Sequence, residues 1–340
     1  MRGGNTVDVP SSAGWRIFAA SLSRTARVAP ESPADLETLA SLLRNSGQYQ
    51  VLTRLTHRDR YADDDGTLTY TALFVDVETT GLNPASDEII ELAIAPFKYG
   101  PTTGLIYTAA EAQAWLEDPK REIPSRVVKL TGITNEMVRG RRIDDDAVQE
   151  LVERADLIIA HNAAFDRPFL ERRLPVFASR RWACSCYDIS WKDMGYSSSN
   201  LEYLLYKHCG ICLDGAHRAG VDCAGGIRLL AQPYPRPDTH TFAILHRNCH
   251  QATVRVWAIG SPIERKDILK ARGYRWNPGS DGRPRAWYLD RLAASKQAAR
   301  ATGTEECDWL EREIYLRPAP QIQVRIIDAR TRYSGREPTV

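Results

Sequence analysis

Apolar and polar positions along the chain fall into a few distinct rhythms. Between residues 71 and 232, short apolar runs alternate with helical patterns. Thr71-Ala-Leu-Phe-Val-Asp-Val-Glu-Thr-Thr-Gly-Leu82 predicts a strand closed by a turn at Gly81. Asp87–Phe97 predicts a second strand and Leu105–Thr108 a third. A short helix opens near Ile123 and ends at Gly132; another spans Asp144–Ala155, with Val148, Leu151 and Val152 inward. Asp156–His161 reads as a short buried strand, Ala163–Arg173 as a helix and Trp182–Cys186 as a strand. Leu201–Cys209 and His217–Leu230 read as helices. Strands interleaved with helices in this way argue for an α/β domain built on a mixed sheet.

The flanks have other rhythms. Residues 31–70 predict an N-terminal helix/strand extension. Ser32 caps a helix with Pro33 at its first position, and Leu36, Leu39, Leu42 and Leu43 share one face. Residues 48–55 then alternate like a strand. Residues 1–30, rich in Gly, Ser, Pro and Arg with Asp8 the lone acid, read as a disordered leader. Residues 233–238 form a Pro-rich linker. Residues 239–328 predict a small basic α+β module: a helix over 239–251, a strand over 254–260, a helix from Ser261 to Gly273, a hairpin over 274–289 and a helix over 304–315. Residues 329–340, with Arg330, Arg332 and Arg336, read as a flexible tail.

Charge sharpens this division. Residues 71–232 hold 18 basic and 23 acidic side chains, whereas residues 233–340 hold 19 and 12. The acidic middle suits a carboxylate cluster. The basic last third suits a polyanionic partner or an ordinary solvated surface. There, Tyr274, Trp276, Trp287 and Tyr288 lie among basic residues, a composition that serves either single-strand stacking or a small core. No apolar run approaches a membrane span, so no membrane partner is expected. Seven cysteines without a secretory-type start predict reduced thiols in the cytoplasm. Cys184-Ser-Cys186 and Cys209-Gly-Ile-Cys212 fit no familiar zinc module.

Three segments of the middle domain break local rules. Asp76 and Glu78 are two apart on a strand, so both carboxylates point to one face, with Val75 and Val77 on the other. Paired acids among Leu, Phe and Val are costly unless a cation lies between them, and a hard divalent cation takes carboxylate oxygens. Asp166 sits on the first turn of a helix that follows a buried strand, where the helix dipole alone would also favour it. His217 and Asp222 are five apart, the Asp on an otherwise small and apolar helix. Solvent-facing side chains are the alternative for each.

Together the segments resemble the three motifs of the DEDD superfamily of 3′–5′ exonucleases, in the subtype with His five residues before the last Asp. Phe74-Val-Asp-Val-Glu-Thr-Thr-Gly-Leu82 matches the first, His161-Asn-Ala-Ala-Phe-Asp166 the second and His217-Arg-Ala-Gly-Val-Asp222 the third. Leu130-Thr-Gly-Ile-Thr134 resembles a segment between the first two. Within the superfamily, the pattern resembles the epsilon proofreading subunits of bacterial replicative DNA polymerase (DNA polymerase III). The resemblance covers residues 71–232 and implies a ribonuclease-H-like fold, a five-stranded mixed sheet flanked by helices. It implies two divalent cations, Mg²⁺ or Mn²⁺, held by Asp76, Glu78, Asp166 and Asp222, with His217 as general base. Thr79, Gly81, Leu82, His161, Asn162 and Phe165 would meet the terminal nucleotide, core packing being the alternative for Phe165. The implied activity removes nucleoside 5′-monophosphates from 3′ ends of single-stranded or frayed DNA, in proofreading or repair. In that role the C-terminal module would contact nucleic acid, a polymerase or a repair complex. RNA trimming by the same chemistry is one alternative. A non-catalytic nucleic-acid-binding subunit is the other, and no degraded motif position favours it.

Overall fold

The computed structural model describes residues 33–213, 217–234, 239–279 and 283–335. The expected leader, most of the linker and the tip of the predicted hairpin lie outside these residues. Among the described residues, no helix is long and apolar enough to cross a membrane. Helix α1 (Pro33–Asn45) begins at the predicted proline and carries an Arg44–Glu37 ion pair at 2.9 Å. The strand expected after it is reduced to β1 (Thr53–Arg54).

The half of the chain that precedes the C-terminal module is organised around β2 (Tyr70–Thr79). Next come β3 (Ile89–Tyr99), β4 (Ile106–Ala109) and β5 (Gln113–Leu116). Helices α2 (Ser125–Thr131), α3 (Asn135–Val138) and α4 (Asp145–Glu153) precede β6 (Leu157–Ala160), α5 (Ala163–Arg173) and β7 (Trp182–Cys184). A short α6 (Leu201–Leu204), β8 (Ile211–Cys212) and α7 (Ala219–Leu230) close the domain. The strand order is β4-β3-β2-β6-β7, with β5 also on β3. Strand β2 runs antiparallel to β3 and parallel to β6. The expected mixed sheet is present with six strands rather than five, because two short strands share the outer side of β3: β4 pairs Phe97–Tyr99 and β5 pairs Glu91–Ile94. Strand β8 pairs β1 in parallel.

Alternation along β2 builds two cores. Leu73, Val75 and Val77 face the α4–α5 side with Val148, Val152, Phe169 and Leu170. Ala72 and Phe74 face α7 with Cys223 and Ile227. The approach on that side is close: a Cβ on Gly226 would stand 2.0 Å from the Phe74 ring. Asp76 and Glu78 continue the α7-facing series, which aims them at the start of that helix.

Helix α8 (Thr241–His250) was expected in the C-terminal module, yet it belongs to the first core. Phe242 meets Phe97 and Tyr99 edge-on, with ring centroids 5.6 and 4.8 Å apart. The module proper consists of β9 (Ala252–Ala258), α9 (Lys266–Arg272), β10 (Arg275–Asn277), β11 (Ala286–Ala293), α10 (Lys296–Leu310) and β12 (Gln323–Ile327). Its sheet is antiparallel in the order β10-β11-β9-β12. Helix α10 lies against it through Gly303, where a Cβ would reach Val324 at 2.9 Å. Helix α10 also starts eight residues before the predicted Thr304.

The flexible tail is corrected as well. Residues 329–335 return to the domain built on β2. Trp182 N donates to the Ala329 carbonyl at 2.7 Å. Arg332, 6% exposed, pairs with Asp188 at 2.7 Å, and the Tyr333 hydroxyl donates to the same carboxylate at 2.8 Å. Fully buried Arg167 donates to the carbonyls of Arg330 and Arg332. A buried guanidinium and a buried carboxylate at the surface of α5 and β7 need partners, and this strap supplies them.

Candidate active site

Strand β2 ends where its pairing with β3 shifts register between Glu78 and Thr79. Asp76 and Glu78 are half-buried there. Asp166 approaches over the end of β2 from the first turn of α5, 2% exposed, accepting a hydrogen bond from Val77 N at 3.2 Å. Helix α7 supplies the remaining pieces. Asp222 lies on its first turn, while His217 lies just outside it at φ 65°, exposed, rather than within the predicted helix. Glu78, His217 and Asp222 each bring a ligand atom within 4.8 Å of the others. Among the described residues this is the only such group of His, Cys, Asp and Glu; the cysteine pairs form none.

The carboxylates titrate as a crowded set. Burial pushes Asp76 well above the usual carboxylate range, and Asp166, Asp222 and Glu78 add to it. Burial likewise raises Asp166 strongly, against the stabilising N–H of Val77. Glu78 is pushed up to about 8 by burial, then by Asp222 and Glu91, with Arg218 opposing. Asp222 rises to about 6 through burial, eased by His217. Four acids in one place cannot all ionise without added positive charge. Oxygen donors converging at a strand end, with the His217 imidazole at their rim, fit a hard divalent cation.

Glu91 is a site residue that the sequence reading passed over. It stands opposite Glu78 on β3 and is 2% exposed. Arg218 donates to it through Nη2 at 2.7 Å and Nε at 3.2 Å, and Ala219 N donates at 3.0 Å. Both donors follow His217 directly, so Glu91 anchors the left-handed turn that presents the imidazole. The signal was available: an acid inside Ile89-Ile-Glu-Leu-Ala-Ile94 breaks the same rule as Asp76.

The residues expected at the terminal nucleotide separate into groups. Thr79 is buried, its hydroxyl donating to the Gly81 carbonyl. A Cβ on Gly81 would strike the Asp87 carboxyl at 2.5–2.7 Å, so only glycine allows the loop to fold back there. Leu82 projects, 81% exposed. Asn162 is exposed at φ 77° ahead of α5. Phe165 packs on Phe169 with centroids 5.1 Å apart, which favours core packing. His161 commits both ring nitrogens internally: Nδ1 to Ser185 Oγ at 2.9 Å and Nε2 to the Ser199 carbonyl at 2.7 Å. Burial lowers its pKa to about 4. The neutral ring therefore donates from Nε2 and accepts at Nδ1. It braces the site and leaves no ring nitrogen for a nucleotide.

Residues 73–230 match the RNase_T family model, described as exonuclease. This segment is similar to that exonuclease family. The domain is similar to DNA polymerase III PolC-type of Clostridium perfringens, with 31% identity over 166 residues, 46% of this chain and 10% of that protein. Its counterpart in Thermotoga petrophila is 33% identical over 146 residues, 42% and 10% respectively. The chain thus spans about a tenth of the length of these relatives. Among solved structures, exonuclease X in complex with 5′-overhanging duplex DNA aligns at TM-score 0.35 and 25% identity, over 47% of this chain and 89% of that one. The zinc-bound E. coli exonuclease I–single-stranded DNA complex aligns at TM-score 0.44 and 16% identity, over 72% and 71%.

Proposed function

We propose that this chain is a divalent-metal-dependent 3′–5′ exonuclease that trims single-stranded or frayed 3′ ends of DNA to nucleoside 5′-monophosphates. The observation that carries the reading is the convergence of Asp76, Glu78, Asp166 and Asp222 at the end of β2, with His217 beside Glu78 and Asp222. Asp76, Glu78 and Asp222 would hold one cation, and Asp166 would share a second with Asp76. Cations bound there would offset charge on the scissile phosphate and its leaving oxygen. His217, exposed at the rim, would take the proton of the attacking water, since an imidazole can accept and release a proton near neutral pH. The turn anchored by Glu91 fixes where that imidazole stands. Leu82, exposed beyond the end of β2, would meet the terminal nucleotide.

The PolC-type relatives support DNA as substrate and a proofreading or repair setting. The test is a time course on single-stranded and 3′-tailed DNA and on matched RNA, with Mg²⁺, Mn²⁺ or chelator. Metal-dependent, stepwise release of mononucleotides, lost in Asp76→Ala and faster on DNA than on RNA, is the expected result. Faster loss of RNA would reassign the substrate. Tight DNA binding without turnover would make the chain a binding subunit.

A further inference from the structure

The loop after β7 encloses a groove of about 590 Å³ that the catalytic reading does not use. Its lining includes Tyr187, Trp191, Lys192, Asp193, Tyr196 and Ser199. Trp191 is buried as the floor, with its indole N–H donating to the Ser185 carbonyl at 2.8 Å. The Tyr196 hydroxyl is fixed to His208 Nδ1 at 2.7 Å. Tyr187, by contrast, is 62% exposed. The loop is tied to the active site through His161, whose ring bridges Ser185 and Ser199. It is a hydrogen-bonded wall with one exposed aromatic face.

Position and chemistry together name the occupant. The groove opens at the carboxyl end of β7, and β2, β6 and β7 run parallel. Asp76 and Glu78 sit at the same end of β2. Two strand spacings separate β7 from β2, about 10 Å, or roughly three stacked nucleotide steps of ~3.4 Å. A strand with its 3′ end among the carboxylates and its body directed toward β7 would reach the groove a few nucleotides upstream. The lining carries one Lys and one Asp, so it is no anion trap. Aromatic faces edged by hydroxyls suit a nucleobase and sugar instead. The volume lies in the range of pockets that hold a molecule of nucleotide size.

We propose that this groove is a base-binding subsite for a nucleotide upstream of the scissile one, with Tyr187 as its stacking platform. The proposal rests on the exonuclease reading, and the experiment separates the two. Binding of fluorescent tetrathymidylate and of thymidine 5′-monophosphate is measured in Ca²⁺ for the wild type, Tyr187→Ala and Tyr187→Phe. The alanine variant should bind tetrathymidylate about tenfold more weakly, the phenylalanine variant like wild type, and all three should bind the mononucleotide equally. Unchanged tetrathymidylate binding in Tyr187→Ala, or an equal loss on the mononucleotide, overturns the subsite. Hydrolysis of thymidine 5′-monophosphate p-nitrophenyl ester in Mn²⁺ runs alongside. That ester does not reach the groove, so its inertness would count against the nuclease reading while the binding result still decides the subsite.

Discussion

The molecule treats buried acids in two ways. In the C-terminal module, Glu306 is 4% exposed and held by Arg272 at 2.8 and 2.9 Å and by the Tyr274 hydroxyl at 2.9 Å. Asp290 takes both Arg255 and Arg275. Under the strap, Asp188 has Arg332 and Tyr333. At the end of β2, four carboxylates crowd together, and the nearest guanidinium, Arg218, is already committed to Glu91. Matched acids hold structure together. The unmatched ones make the metal-free fold less stable, and that deficit is available to a cation.

The comparison can be broken at either end. Asp76→Asn should lower turnover by about a thousandfold, on the scale of losing a preorganised electrostatic group. It should also raise the melting temperature of the metal-free protein near neutral pH, because the folded state no longer has to hold a proton at that buried carboxyl. A variant that stayed active, or that melted lower in chelator, would end the contrast. Removing the partner of a matched acid should do the reverse. Arg332→Ala leaves Asp188 buried and unpaired and should cost about 3 kcal/mol in urea unfolding; a cost near zero would mean that the strap is decorative. Glu91→Gln tests an acid that belongs to both groups. Loss of the anchor behind His217 should lower kcat about tenfold with little change in KM for oligonucleotides. A change confined to KM would assign Glu91 to substrate binding instead.

The smallest effect is in the pH profile. Folded Asp222 and Glu78 keep their protons up to about 6 and about 8, above the ordinary carboxylate values near 4. The folded state therefore binds protons more tightly than the unfolded chain. This contribution is full below pH ~4 and is lost as pH climbs through those two values. The metal-free melting temperature should fall by a few degrees between pH 5.5 and 8, and the rise produced by Mg²⁺ should grow across the same window. Parallel melting curves with and without Mg²⁺ at all pH values would contradict the unmatched set.

The acids were legible in the sequence because each breaks an apolar pattern, and the sheet was legible because its strands are short, apolar and separated by helices. What stayed hidden depends on distance or on small side chains. The Arg332–Asp188 pair joins residues 144 apart, and no local pattern announces it. The first turns of α10 run Lys296-Gln-Ala-Ala-Arg-Ala-Thr-Gly303 and lack an apolar stripe, since the helix packs by closeness rather than bulk. Strands β5 and β12 are four and five residues long, too short for alternation to declare them. His217 sits in the region of spacing that suggests a helix, but its left-handed φ depends on Glu91, which lies 126 positions upstream in the chain.

The returning strap also changes what can be removed from this protein. Arg332 donates to the Gln251 carbonyl at 2.8 Å, and Asn248 donates to the Asp188 carbonyl at 2.9 Å, so the chain leaves the catalytic core and rejoins it at neighbouring points. Topologically, the C-terminal sheet is an insertion, a long excursion between two anchors of one body. A stop codon after Ile327 would unbuckle α5 behind Asp166. Excising residues 253–327 and bridging the gap with a few glycines would keep both anchors, so the module can be swapped like a cartridge.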